Sequence, residues 1–192
     1  MSYLTDSQLQ SVGFKHLGKN VKIGSLASIH RPEEISIGDN SRIDDFCAIS
    51  GKITIGRNVH IAVHCSLVAS TEELLMNDFS GLAFGCHLFT SSDDYSGLSL
   101  TNPTVPSVYK SIINGPITIA RHVIIGTSSI VFPGVEIAEG CAIGAYTLVT
   151  KSTSPWGIYV GNPARRIKER SKELLTLEAK YLESVSETLN GD

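Results

Sequence analysis

The groups in this sequence best suited to moving a proton are the imidazole of His60, in IGRNVHIA, and the adjacent carboxylates Asp93 and Asp94, in TSSDDYSG. An imidazole titrates near neutral pH and can act as a general base. Two neighbouring carboxylates repel each other's charge, which raises the basicity of one of them. His87 precedes the acidic pair, where it either faces a ligand or is an exposed residue of a strand. No Ser, His and Asp set at recognisable spacing suggests a covalent intermediate. Cys47, Cys65, Cys86 and Cys141 form no CxxC pair. The basic run of Arg165, Arg166 and Lys168 is either the solvated start of a helix or a patch able to serve one phosphorylated ligand.

These groups need a scaffold, and its size is bounded. At 192 residues and 42% hydrophobic, the chain supports one good core and little room for a second domain. A net charge of −3 argues against attachment to nucleic acid, which is driven by clustered Lys and Arg. The first ten residues, MSYLTDSQLQ, carry charge and amides where a signal peptide needs an apolar run. No stretch approaches the roughly 18 apolar residues of a membrane span. A cytoplasmic location without membrane contact is the expectation.

The scaffold announces itself as a repeat. Aliphatic residues recur every six positions in two runs, Ile37, Ile43, Ile49, Ile55, Ile61 and Leu67, then Ile119, Ile125, Val131, Ile137, Ile143 and Val149. Helices repeat at 3.6 and simple strands at 2, so neither explains the pattern. A second small or apolar residue follows four places later, as with Val59 after Ile55 and Thr147 after Ile143. Gly, Asp or Asn falls between them, as in Ile37-Gly38-Asp39-Asn40, and such residues tolerate left-handed backbone. Three short strands of this kind make one triangular turn of a prism, and successive turns stack at strand spacing. Each cysteine lies four places after an aliphatic partner, which predicts four reduced core thiols.

The repeat is interrupted near Arg31 to Glu34, near Ser70 to Glu73, and at length over 91–115. A connection that long is uncommon in a compact domain unless it acts, so 91–115 is expected to project and shape a site, with His87, Asp94 and Tyr95 as candidate ligand-binding residues. Thr5 with Gln8 resembles a capping box, predicting a short helix that ends at Gly13. Leu174, Leu175, Tyr181 and Leu182 share a face of a C-terminal helix that covers the prism or packs on a neighbour. The domain reading is therefore a helical cap over 1–20, the prism over 21–164 and a C-terminal helix over 165–192.

The segment Ile117 to Arg170, with its hexads joined to GAYTLVTK and VGNPARRIK, resembles the C-terminal half of the hexapeptide-repeat acyltransferases. The likeness is greatest to the branch holding galactoside and maltose O-acetyltransferases and nucleotide-aminosugar N-acetyltransferases. It covers about Val21 to Arg170. The resemblance implies an all-β fold, a left-handed parallel β-helix, despite the usual right-handed crossover. It also implies a homotrimer with active sites between prisms and acetyl-CoA as co-substrate, without a metal. Carried over by motif, the coenzyme A contacts are Thr127 in IIGTSS, Ala145 in IGAYT, Thr150 and Lys151 in LVTK, and Arg165, Arg166 and Lys168 at the phosphates.

One family feature is missing. Sugar O-acetyltransferases of this kind carry a His at the mouth of the long loop, and the alignment puts Asp93 there. His60 aligns with a position that holds an active-site aromatic in galactoside-type enzymes, so it is expected at the acceptor. His60, Asp93 or no single essential base remain open. A hydroxyl gains much from a base, whereas an amine needs only to shed one proton. The departure therefore favours N-acetylation, and the loop text is similar to that of transferases acting on nucleotide-linked 4-amino-4,6-dideoxyhexoses in O-antigen synthesis. A galactoside-type O-acetyltransferase is the alternative.

Two other classes compete. A zinc enzyme resembling the γ-class carbonic anhydrases would draw on His60, His64, His87 and His122, but His60 and His64 fall at different places in the hexad. A non-catalytic scaffold would have no use for the long polar loop and the basic tail. Trp156 either stacks near an adenine or packs the last turn on the prism, with packing favoured.

Overall fold

The computed structural model describes the backbone of residues 2–190 and the side chains of residues 2–185. Every aliphatic residue of the two six-residue runs points inward and is at most 3% exposed. Three places after these residues the backbone turns left-handed, at Asn40, Phe46, Asn58, His64, His122, Ser128, Gly134, Gly140 and Tyr146, with φ between 55° and 79°. That conformation costs a non-glycine residue about 1–2 kcal/mol. Hydrogen bonds between turns offset it: Asn58 N–H donates to Asp39 O at 2.9 Å, Ser128 N–H to Phe84 O at 2.8 Å and Tyr146 N–H to Thr127 O at 2.8 Å.

The result is a parallel β-solenoid of about seven turns. One prism face is an eight-stranded sheet running Lys22–Ile23, Arg42–Ile43, His60–Ile61, Gly81–Leu82, Ile124–Ile125, Ala142–Ile143, Gly157–Val160 and Arg165–Glu169. The other two faces form one ten-stranded sheet, because Ala48–Ile55 and Ser66–Met76 run unbroken around a corner. The extra residues at the first interruption form a 3-10 turn, Pro32–Glu34. Beside it, Arg31 reaches over Gly51 to donate to Ala69 O at 2.8 Å. Gly51 has φ 94°, and a Cβ there would stand 1.7 Å from Ala69 O, so this corner admits only glycine.

The long insertion leaves the stacking intact. Gly81–Leu82 pairs directly with Ile124–Ile125, and His87–Phe89 with Ile130–Val131. The insertion is rooted in an antiparallel ribbon of Ser91–Asp93 with Ile112–Asn114. All four cysteines are free, at most 1% exposed, and lie in the core.

Helix α1, Asp6–Val12, has the expected reciprocal cap between Thr5 and Gln8 and ends at Gly13 with φ 83°. Solenoid pairing begins before residue 21, with His16–Leu17 against Ile35–Ile37. The far end also differs from expectation. Arg165–Glu169 is not the head of a helix but a strand, antiparallel to Gly157–Val160. The exposed edge of the last parallel strand needs partners for its backbone groups, and that demand outweighs the helix propensity of Arg and Lys. Charged side chains then make this strand a poor template for further pairing.

Helix α2 spans Glu173–Asn190, and residues 191 and 192 of the expected helical segment lie outside the described residues. It docks on a prism corner through Leu174, Leu177, Glu178 and Tyr181, the i, i+3, i+4, i+7 stripe of a helix. Leu175, expected on that face, is 38% exposed beside it. Arg170 secures the approach by donating to the carbonyls of His122, Gly140 and Cys141 at 2.6, 3.1 and 3.2 Å. Burial lowers the pKa of its guanidinium. Trp156 packs rather than projects: it is 8% exposed and leaves no space for a Cβ at Gly140.

Candidate active site

His60 sits on the outward side of the eight-stranded sheet, directly above Arg42, which lies above Lys22. Its Nε2 is 2.8 Å from Asp44 Oδ2, and the Asp44 side chain is only 5% exposed. Arg42 Nε lies 3.0 Å from Asp44 Oδ1, and Arg42 Nη2 lies 2.7 Å from His60 Nε2. His60 Nε2 cannot donate to Asp44 and accept from Arg42 at once. The two contacts need opposite tautomers: in the one that donates from Nε2 to Asp44, Nδ1 carries the lone pair. A half-exposed imidazole held by a buried carboxylate can accept a proton from a bound nucleophile.

Asp44 was missed in the sequence, although a signal existed. It follows Arg42 by two residues, and Arg42 lies 18 residues before His60, one full turn of the prism.

Asp93 lies elsewhere, at the end of a strand in the loop ribbon. Its Oδ2 accepts from Asn102 N–H at 3.1 Å. His60 and Asp93 thus belong to different sheets. Asp94 organises the loop turn, accepting from Ser96 N–H and Oγ at 2.8 Å each and from Ser99 Oγ at 3.2 Å. These bonds, the Ser96 backbone first, hold its carboxyl below the usual range. Tyr95 is 87% exposed. His87 is an exposed ladder residue between Ser66 and Ile130.

The residues expected at coenzyme A fall into two groups on the late turns. Thr127 and Ala145 stack on one corner, so tightly that a Cβ at Gly126 would lie 2.5 Å from Ala145 N. Thr150, Lys151 and Arg165 line one pocket with Tyr159 and Ala164. Arg166 is engaged, with Nη2 2.6 Å from Glu169 Oε1, and Lys168 is exposed opposite Ile158.

The histidines weighed as zinc ligands have separate surroundings. His64 stacks on Phe46 at 5.0 Å, His122 is buried against Glu178 at 2.9 Å, and His60 is bound to Asp44. Among the described residues, no group of three or more His, Cys, Asp or Glu is placed to hold a metal ion, and no helix is long and apolar enough to cross a membrane.

No family model matches the chain. It is 43% identical over 184 residues to dTDP-4-amino-4,6-dideoxy-D-glucose acyltransferase of Escherichia coli, covering 94% of this chain and 95% of that protein. Among solved structures it is similar to AntD, an N-acyltransferase from Bacillus cereus. The complex of AntD with dTDP and 3-hydroxybutyryl-CoA superposes with a TM-score of 0.95 at 43% identity, over 96% of this chain and 98% of that one. A variant of AntD with cysteine in place of one serine, bound to dTDP-4-amino-4,6-dideoxyglucose and coenzyme A, gives 0.94 at 44% identity, over 95% and 98%. A maltose O-acetyltransferase from Clostridium difficile, at 21% identity and a TM-score of 0.54 over 88% and 79%, shares the fold. Near-complete coverage at this identity shows that the chain belongs to the acyltransferase family of dTDP-4-amino-4,6-dideoxyglucose acyltransferase, within the hexapeptide-repeat fold.

Proposed function

We propose that this protein transfers a short acyl group, such as acetyl, from coenzyme A to the amino group of a dTDP-linked 4-amino-4,6-dideoxyhexose. The observation that carries this reading is the near-complete match to AntD, whose structure holds that kind of aminosugar nucleotide together with coenzyme A. Coenzyme A lies along the late turns, with its pantetheine at Thr127 and Ala145 and its phosphates near Thr150, Lys151, Arg165, Arg166 and Lys168. The product is an N-acylated sugar nucleotide suited to O-antigen or other surface polysaccharide assembly, made in the cytoplasm.

The active unit is a homotrimer, and its site lies between protomers. Two features support this. His60 and Asp93 stand on different sheets of one chain, an arrangement suited to a site completed by a second copy. The projecting loop also carries Leu98 and Val108 at 91% and 80% exposure, while Phe46 and Phe84 stand out at 55% and 57% along one prism corner. Apolar surface of this extent finds its partner in association.

In the reaction, the neutral amine attacks the thioester carbonyl and the C–N bond forms. A backbone N–H stabilises the oxyanion. His60 Nδ1 takes the proton lost by nitrogen, and Asp44 steadies the resulting imidazolium. The C–S bond then breaks, and the thiolate leaves as coenzyme A and is protonated. Asp93 from the neighbouring loop, with His87, Asp94 and Tyr95 nearby, holds and orients the ammonium form of the acceptor, which sheds one proton to bulk water to give the neutral amine that attacks.

Thiol release measured with dTDP-4-amino-4,6-dideoxyglucose and a simple galactoside, each with acetyl-CoA and with 3-hydroxybutyryl-CoA, tests the reading. Turnover of the aminosugar nucleotide alone is expected. Turnover confined to the galactoside, or silence with both acceptors, would refute it.

A further inference from the structure

We infer that Asn102 and Lys110 are positioning residues for the acceptor: they tether one oxygen of the Asp93 carboxylate and leave the other to receive the ammonium group of the sugar. This inference rests on the aminosugar-nucleotide reading above, in which Asp93 holds the acceptor, and identifies what aims that carboxylate.

Asp93 closes the strand Ser91–Asp93, in register with Ile112 on the returning strand. The ribbon fixes its Cα but not its side chain, whose torsions remain to be set. Asn102 sets them, its N–H donating to Asp93 Oδ2 at 3.1 Å. Among the described residues no group donates to Asp93 Oδ1. The neighbouring carboxylate is not a substitute, because Asp94 spends both oxygens on Ser96 and Ser99.

Asn102 makes that bond from a costly conformation. It has φ 69°, in the left-handed region, where a non-glycine residue loses about 1–2 kcal/mol. It also precedes Pro103, and a residue before proline is pushed toward extended backbone. Two restraints hold it there. Its own Oδ1 accepts from Thr104 N–H at 3.0 Å and from the Thr104 hydroxyl, spanning the proline. Its carbonyl accepts from Lys110 Nζ at 2.9 Å. Backbone strain kept in place by its surroundings points toward function when the strained residue touches a site.

Lys110 is built for this contact. Its backbone is fixed by the 3-10 turn Ser107–Tyr109, with Lys110 N–H on Ser107 O at 3.0 Å, and by the bridge to Leu100, whose N–H donates to Tyr109 O at 2.9 Å. A lysine on a projecting loop ordinarily extends its ammonium into water. This one is half-buried and donates to a main-chain carbonyl instead. It forms no ion pair with Asp93 among the described residues, so it secures the carboxylate without neutralising it. Losing the ammonium frees Asn102 to relax toward extended backbone, which turns its N–H away from Asp93.

Calorimetric titration of the full-length protein with dTDP-4-amino-4,6-dideoxyglucose, dTDP and coenzyme A tests the assignment. Lys110→Met should weaken the aminosugar nucleotide about tenfold, the scale of one misdirected charge-assisted hydrogen bond, while dTDP and coenzyme A bind as to wild type. Lys110→Arg, which keeps a charged donor, should restore most of the loss. Asn102→Gly keeps the N–H and adopts positive φ without strain, so it should bind the aminosugar nucleotide more tightly than Asn102→Ala. In an Asp93→Ala background Lys110→Met should weaken the aminosugar nucleotide no further, because the two residues act through one contact. Unchanged coenzyme A binding reports that each variant is folded. If Lys110→Met leaves the aminosugar nucleotide unaffected, weakens dTDP equally, or costs the same tenfold without Asp93, the assignment is overturned and the proposed function stands. If wild type does not bind the aminosugar nucleotide, the proposed function falls and takes the assignment with it.

Discussion

His60 and Asp93 stand on different sheets, and a site shared between protomers, as proposed, sets a number. Let one version of the protein carry His60→Ala and another Asp93→Asn. Each alone should lose most activity: His60→Ala removes a positioned base, which contributes about 10²–10⁴-fold to proton transfer, and Asp93→Asn removes the carboxylate that holds the acceptor. Co-expressed with different tags and purified through both, the two versions of the proposed trimer are expected in the composition two-plus-one. Around a closed ring of three, one interface joins a protomer that keeps His60 to a neighbour that keeps Asp93 in the required order. That interface is a complete site, and the other two are not. The mixed trimers should therefore show about one third of wild-type specific activity in thiol release, far above either parent. If the dual-tag preparation is no more active than its parents, the shared-site reasoning is refuted. Recovery to the wild-type level would refute it equally, because it would mean that one protomer's defect is not felt at its interface.

Other outcomes follow from single contacts. Asp44→Asn removes the charge that orients His60 and should lower kcat by roughly tenfold to a hundredfold, within the range for assisted proton transfer, while coenzyme A binding holds; unchanged kcat would dismiss Asp44 as a positioning residue. Ile61→Ala empties a fully buried site in the prism and should cost about 2–5 kcal/mol in urea unfolding. Asp94 has its pKa depressed in the folded loop, so its contribution is present above the ordinary carboxylate pKa and disappears as pH falls through the depressed value. Limited proteolysis should accordingly cut within 94–99 more readily at the acid end of that window, and Asp94→Ala should show the same sensitivity at neutral pH.

The prism was legible because its determinants are local and periodic. Ile37 through Leu67 and Ile119 through Val149 keep step with the hexad, and all of them are core residues. The thiols of Cys47, Cys65, Cys86 and Cys141 followed from the same count. The strand Arg165–Glu169 was not legible, since long charged side chains suit an exposed helix and an edge strand equally, and only the unpaired neighbour at Gly157–Val160 decides. Phe46 and His64 obey the turn position but not its usual chemistry, which is why a search for Gly, Asp and Asn passes over them. In the proposed site, His60 is a candidate by its type and Asp44 is not. The importance of Asp44 lies in what stacks above it, and that requires the fold to be wound before the contact can be seen. The partnership of Asp93 with Asn102 belongs to the aperiodic loop, where no spacing rule reaches.

The docking of α2 has a consequence for how the protein comes apart. A solenoid behaves nearly as a one-dimensional stack in which each turn knows only its neighbours, so it can fray from an end or split at a weak joint. The joint between the turn that holds Leu82 and the turn that holds Ile125 is the expected weak one, because the chain leaves for the loop after Thr90 and returns at Ile117 before the stack continues. The helix runs along this joint like a splint, touching Asn58 and Phe79 on one side and Arg121 and His122 on the other. Its removal should convert one cooperative transition into two, with the early and late turns melting separately.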